Sequence, residues 1–347
     1  MVKVGVIGCG RIAQERHLPE YNENPNAEIA AVYDLNEQRA RETAAAYHTK
    51  ACGSLEDMLE DPSIDAVSIC VANVFHCEMT VKALRAGKHV LCEKPMAVTL
   101  DECRRMVSEA QKAGKFLMIG HNQRFAKAHV KAKELIEKGE IGKILTFRTT
   151  FGHGRPETWT IDAKNNWFFD KKKAIFGAMA DLGIHKTDLI QFLTGKKIKS
   201  VTARMGTLDK KDSSGNFIGV DDNTICIYQL EDNILGTMTA SWTYYGPEDN
   251  STIIYGTEGI MRIYDDPDYS LVIEKRDGTS AFYKVDQIQT NEHQTKSGII
   301  DSWIESLEKN RKPEISGDDV LEAMKAVFAA ADSAREGKTI LLQEENE

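Results

Sequence analysis

The chain has 347 residues, 41% hydrophobic and 28% charged, and 44 Lys and Arg against 53 Asp and Glu give it a formal net charge of −9. That length and balance describe a globular protein of two domains and exclude disordered and fibrous chains. The acidic balance, broken only by a short basic run at Lys171–Lys173, argues against nucleic acid or an anionic membrane as partner.

The first apolar run, "KVGVIG", leads into "GCGRIA" at residues 8–13, a GxGxxA pattern set between a strand and a helix. In that context Gly8 makes a tight turn and Gly10 lets a pyrophosphate approach the amides of Arg11 and Ile12 at the helix start. Ala13 permits close packing of helix on strand. The second run, "AEIAAVYD", ends in Asp34, 21 residues beyond Ala13, where a carboxylate suits ribose hydroxyls and repels a 2′-phosphate. NAD is therefore the expected cofactor, and Arg39 keeps NADP open.

Further runs, "IDAVSICVA", "KHVLCE" and "KFLMIG", alternate with helical patterns such as "LDECRRMVSEAQKAG". Continuous apolar strands, each followed by a helix, imply a parallel sheet covered on both faces. "KHVLCE" delivers Glu93, Lys94 and Pro95 to the carboxyl edge of that sheet, where ligands bind. Lys94 there either meets the reactive end of a cofactor or simply pairs with Glu93, and Pro95 is a candidate for a cis bond.

Beyond about residue 140 the pattern changes to alternation. In "KILTFRTTF", Leu145, Phe147, Thr149 and Phe151 fall on one face, and "NTICIYQL", "ILGTMTASW" and "TEGIMRIYD" behave alike. Glu231-Asp232-Asn233 and Asp277-Gly278 are turn signals, and helical patterns near 292–309 and 317–336 close the chain. The expected fold is α/β: a Rossmann doubly wound parallel sheet over residues 1–123, then an α+β domain with an open, largely antiparallel sheet over residues 124–347.

One helical stretch, "DLGIHKTDLIQF", sets Asp181, His185 and Asp188 within an arc of about 60°, with Phe192 continuing the line inward. Leu182, Leu189 and Leu193 form the apolar seam beside it. The trio reads as a proton-transfer group, as ligands of a zinc or manganese site, or as an ordinary helix face. Neither an HExxH pattern nor a cysteine-rich partner supports metal, and none is expected. Gly183 costs the helix on the order of 1 kcal/mol against alanine, which implies close packing on the backbone there.

The seven cysteines are scattered and include no CxxC pair, so they read as reduced, buried small residues. No run approaches the length of a membrane span and the first ten residues make no signal peptide, so a cytoplasmic protein is expected.

"GVIGCGRIA", "VYD", "KHVLCEKPMA", "GHNQRF" and "DLGIHKTDLIQFLTG", in that order and over essentially the whole chain, resemble the Gfo/Idh/MocA oxidoreductases. The resemblance implies an NAD(P)-binding Rossmann domain and a homodimer or homotetramer built through the carboxyl-terminal sheet. It also implies hydride transfer between nicotinamide and a ring hydroxyl or ketone of a sugar or cyclitol. Carried over by position, the catalytic residues are Lys94, Asp181 and His185. Asn73 falls at the nicotinamide ribose, with Ala72 where the family often has proline, and His76 and Glu93 lie near the same cofactor. Arg124 matches the "RF" element, as a substrate contact or a structural residue.

The chemistry explains these residue types. Oxidising a secondary alcohol requires a base for the hydroxyl proton, and an imidazole with a pKa of about 6.5 suits His185 to that work. Lys94 would stabilise developing alkoxide charge, and Asp181 would accept from a neighbouring hydroxyl and favour the protonated histidine. Residues 151–159 and 164–170 are rich in aromatic and amide side chains, which makes His153, Trp159 and Trp167 substrate candidates against a packing role. Without a further basic pocket, an unphosphorylated sugar, glycoside or inositol is favoured over a sugar phosphate, and a nucleotide sugar stays open. Two other classes remain: a glycosidase using bound NAD through a transient keto sugar, and a non-catalytic NAD(P)-binding regulator of the same fold.

Overall fold

A computed structural model describes residues 1–154, 156–161, 166–288 and 296–342. The chain divides into two compact units, one of Met1–Asn122, Glu157–Trp167 and Thr290–Leu321, the other of Gln123–Pro156, Phe168–Gln289 and Glu322–Glu347.

The first unit is built on six parallel strands, β1 Val2–Ile7, β2 Ala27–Tyr33, β3 Lys50–Ala51, β4 Ala66–Ile69, β5 His89–Cys92 and β6 Leu117–Ile119. Their order is β3-β2-β1-β4-β5-β6, the Rossmann order in which the direction of winding reverses beside β1. β4 is buried throughout and β1 nearly so, because helices cover both faces, and that is why these runs are continuously apolar. β3 is two residues long and carries too little pattern to be read from sequence. Helix ends follow local chemistry. Ser54 and Asp57 form a reciprocal capping box, Thr99 caps the helix Leu100–Ala113, and Gly114 at φ 60° ends it.

The second unit holds nine strands: β7 Ile144–Gly152, β8 Ile198–Gly206, β9 Asn223–Leu230, β10 Leu235–Ser241, β11 Thr252–Gly256, β12 Gly259–Ile263, β13 Leu271–Lys275, β14 Ser280–Tyr283 and β15 Ile340–Leu341. They are ordered β14-β13-β12-β11-β7-β10-β9-β8-β15, and every pair is antiparallel except β7 with β10. A turn at Glu231–Asn233 joins β9 to β10, and Gly278 at φ 88° joins β13 to β14.

Two expectations are corrected here. Leu145 does not share the buried face of Phe147, Thr149 and Phe151; it is 47% exposed. Pairing shifts between Tyr255 opposite Thr146 and Gly256 opposite Ile144, and this bulge turns Leu145 outward. Nor is the helix regular from Asp181 onward: a π turn, Met179–Gly183, precedes the α-helix Ile184–Thr194. The helix read at 292–309 is Ile299–Glu308, residues 292–295 lying outside the described set, and the last helix is Gly317–Glu336.

All seven cysteines are free and buried. Among the described residues no helix is long and apolar enough to cross a membrane.

Candidate active site

In the first unit the glycine-rich turn is shaped by backbone contacts. Gly8 stands at φ 90°, and a Cβ there would come within 2.7 Å of the Cys70 carbonyl oxygen, so only glycine fits. At Gly10 the space a Cβ would fill is open, with the Cys70 oxygen 3.9 Å away. That bare backbone opens the helix carrying Arg11 and Ile12, and the Gln14 amide donates to the Gly10 carbonyl at 3.1 Å. A helix start without a side chain in front of it fits a pyrophosphate, whose charge is stabilised by the free amides.

Asp34 closes the turn from the end of β2. One carboxylate oxygen accepts the Cys9 amide at 2.8 Å and the other accepts the Asn36 amide at 2.8 Å. The Arg39 guanidinium lies 3.4 Å from both oxygens. Burial pushes the nearby Cys9 thiol up to about 11, so it stays protonated. Asn73 begins the short turn that follows β4 and is buried.

The Glu93-Lys94-Pro95 segment leaves β5 with a cis bond between Lys94 and Pro95. Glu93 is buried. It accepts from His17 Nε2 at 2.8 Å, from Arg16 at 3.4 Å and, through its other oxygen, from the Lys94 amide at 3.2 Å. Burial alone would raise the pKa of this carboxyl, but the His17 hydrogen bond and the Arg16 charge hold it down at about 2. Gly120 leaves room for it, since a Cβ there would stand 3.0 Å from the carboxylate. The His76 ring faces the Pro95 carbonyl at 2.7 Å and the Val71 carbonyl at 3.1 Å, tying the loop after β4 to the loop after β5. Burial lowers its pKa and leaves one N–H for the shorter contact. Lys94 itself is half-buried.

Arg11 pairs with Glu15 at 3.1 Å, and its guanidinium lies 5.6 Å from the Trp159 ring centroid. Trp159 therefore sits against the glycine-rich turn, and Trp167 belongs to the same unit. Arg155, Lys164 and Asn165, from the same aromatic-rich stretches, lie outside the described residues.

In the second unit the structure separates the acids that the sequence set in one arc. The Asp221 carboxylate accepts the Gly177 and Met179 amides at 2.7 and 2.8 Å and so anchors the π turn. A Cβ on Gly183 would meet Met179 Sδ at 2.7 Å and Ala240 Cβ at 3.3 Å, which is the close packing its presence implied. Asp181 accepts the indole N–H of the buried Trp242 at 3.1 Å. Asp188 instead receives Arg124, whose Nε donates to it at 2.7 Å while Nη2 binds the second oxygen. Arg124 is thus engaged in a forked ion pair. Phe192 is half-buried rather than inward, with the Arg124 and Lys133 cations 5.5 and 4.8 Å from its ring centre.

His185 is 6% exposed, and its ring lies 6.0 Å from Phe151. His153 approaches the same phenyl ring at 6.0 Å, so this unit gathers His185 and His153 around the end of β7. Sequence reasoning passed over Trp242, Lys186 and Glu248. Only the run of polar residues after β10 could have flagged Glu248, and nothing local marked Trp242 as the partner of Asp181.

Residues 2–121 match the family model described as oxidoreductase family, NAD-binding Rossmann fold, and residues 129–262 match the GFO/IDH/MocA C-terminal domain. The myo-inositol 2-dehydrogenase of Thermotoga maritima is 27% identical over 346 residues, 99% of each chain. The D-glucoside 3-dehydrogenase of Escherichia coli is 33% identical over 245 residues, 68% of this chain and 66% of that one. Among solved structures, an aldose-aldose oxidoreductase from Caulobacter crescentus superposes with a TM-score of 0.83 at 25% identity, covering 98% of this chain and 99% of the other. The first unit is accordingly an NAD-binding Rossmann domain.

Proposed function

Because the chain belongs to the GFO/IDH/MocA family of sugar and cyclitol oxidoreductases, we propose that it transfers a hydride between NAD and a ring hydroxyl or ketone of an unphosphorylated sugar, glycoside or cyclitol. NAD, when bound by the Rossmann unit, would supply the hydride acceptor, and NADH the donor in the reverse direction. His185 takes the hydroxyl proton, Lys94 stabilises the alkoxide charge that develops, and Asp181 holds a neighbouring hydroxyl.

The observation that carries this reading is the pairing of Asp181 with Trp242. A half-buried carboxylate held by an indole N–H at 3.1 Å is fixed in direction, and a carboxylate so oriented suits the role of acceptor for a polyol hydroxyl. Gly8, Gly10, Arg11 and Ile12 bind pyrophosphate, and Asn73 contacts the nicotinamide ribose. Asp34 supports NAD over NADP, since its carboxylate would repel a 2′-phosphate even with Arg39 beside it. Trp159 serves the cofactor side, and His153 is the stronger candidate for a sugar contact. Ile225, Ile227 and Leu235, each at least half exposed on β9 and β10, supply an apolar sheet face for a homodimer or homotetramer.

A panel of cyclitols, aldoses and glycosides with NAD and NADP, read by nicotinamide absorbance, tests reaction, cofactor and substrate class together. NADH formed with the carbon skeleton intact is expected. Glycoside cleavage without net NADH would replace the dehydrogenase reading with a glycosidase one, and NAD binding with no turnover would favour a regulator.

A further inference from the structure

The helix that carries His185 also carries a buried cation. Lys186 is wholly buried; its Nζ donates to the Asn250 carbonyl at 2.8 Å and approaches the Thr252 hydroxyl at 3.5 Å. Among the described residues no carboxylate is within ion-pair reach of it. An ammonium without a carboxylate contact is costly to bury, and a methionine would fill similar space at no electrostatic cost. The Nζ lies 5.9 Å from the centre of the Phe151 ring, the same ring that the His185 imidazole meets at 6.0 Å.

Asn250 links this lysine to an acid. Its backbone carbonyl accepts from Lys186, its Nδ2 donates to Glu248 at 3.4 Å, and its Oδ1 accepts from Gln123 at 3.3 Å. The half-buried Glu248 carboxylate interacts through space with Lys186 and with Asp181. One polar cluster therefore reaches from the buried side of the helix to the Asp181 carboxylate.

We propose that Lys186 and Glu248 are positioning residues that set the proton affinity of His185 with opposite signs, the lysine lowering it and the glutamate raising it. The proposal deepens the functional reading above and rests on it for the role of His185. A nearby cation disfavours imidazolium and a nearby carboxylate favours it. Burial drives both groups toward the neutral range, lowering Lys186 to about 7 and raising Glu248 to about 7, so the charge of the cluster changes where an imidazole titrates.

Other ionisable groups around the helix and the π turn before it include Asp181 on that turn, Asp221 bound to the Gly177 and Met179 amides, His153 across Phe151, Asp249 beside Glu248, His129 on the helix Lys127–Glu137, Lys133 bound to the Phe192 carbonyl, and Tyr228 on β9. Burial keeps His129 and Tyr228 neutral, and Arg124 with Asp188 forms a self-compensated pair. Removing the charge of Lys186 or of Glu248 leaves the Trp242 hydrogen bond to Asp181 in place.

The test is an NMR titration of the full chain labelled with 13C-histidine, the His185 signal being assigned by its loss in His185→Asn. Glu248→Gln should move the His185 midpoint down and Lys186→Met should move it up, each by on the order of half a pH unit. An unmoved midpoint, or an upward shift in Glu248→Gln, overturns the proposal. Glu248→Gln is near-isosteric at a half-buried site, so it decides the matter even if Lys186→Met does not fold. Turnover is read separately. Near-normal rates in His185→Asn would sink the functional reading, whereas abolished turnover there with an unmoved midpoint in Glu248→Gln would sink only this one.

Discussion

The indole N–H of Trp242 donates to the Asp181 carboxylate at 3.1 Å, joining residues 61 apart in the chain and linking the end of β10 to the π turn. Asp188, on the same helical stretch, is held by Arg124. Two acids with the same local spelling therefore have different work. Trp242→Phe keeps most of the ring but removes the donor. A hydrogen bond to a charged group contributes about 1.5–3 kcal/mol, so kcat/KM for the best sugar substrate should fall roughly tenfold or more, with the Kd for NAD unchanged. Steady-state kinetics and NAD titration together check this, and a loss confined to NAD affinity would refute it.

Asp34 accepts the Cys9 amide and faces Arg39. Replacing it with serine should relieve repulsion of a 2′-phosphate and release Arg39 to meet it. The ratio of kcat/KM for NADP over NAD should rise by about tenfold or more, the effect of roughly 1.4 kcal/mol. An unchanged ratio would remove Asp34 from cofactor choice.

Gly8 has φ 90° and the Cys70 carbonyl in the space a side chain would need. Gly8→Ala should lower stability by about 1–3 kcal/mol in denaturant titration and weaken NAD binding in the same variant. Wild-type stability in this variant would mean that the turn can relax away from the Cys70 carbonyl just beyond β4.

Glu93 supplies a pH-dependent part of the stability. Its folded pKa of about 2 lies below its ordinary value of 4.5, so its contribution is present above pH 4.5 and is lost as pH falls through 2. The lost term is on the order of 3 kcal/mol. Glu93→Gln should be less stable at neutral pH, because the buried Arg16 loses its ion pair with the Glu93 carboxylate, and the gap to wild type should close toward pH 2. Chemical denaturation across that range measures it; a constant gap would mean that packing, not charge, is lost.

Much of the first unit was legible in the sequence. Continuous apolar strands, the GxGxxA turn and an acid at the end of the second strand are local signals, because turn geometry and burial on both faces each demand particular residues within a few positions. The carboxyl-terminal sheet was legible as alternation, except where the bulge turns Leu145 outward and where short strands such as β3 and β15 depend on neighbours for their pairing.

Only the tertiary structure decided which partner each polar side chain meets. Arg124 reaches Asp188 and Trp242 reaches Asp181, while Lys186, His153 and His185 gather at Phe151. Helical period sets the face on which a residue lies, but its hydrogen-bond partner comes from chain folded in from 60 or more residues away, and a buried polar group takes whatever donor or acceptor that packing delivers.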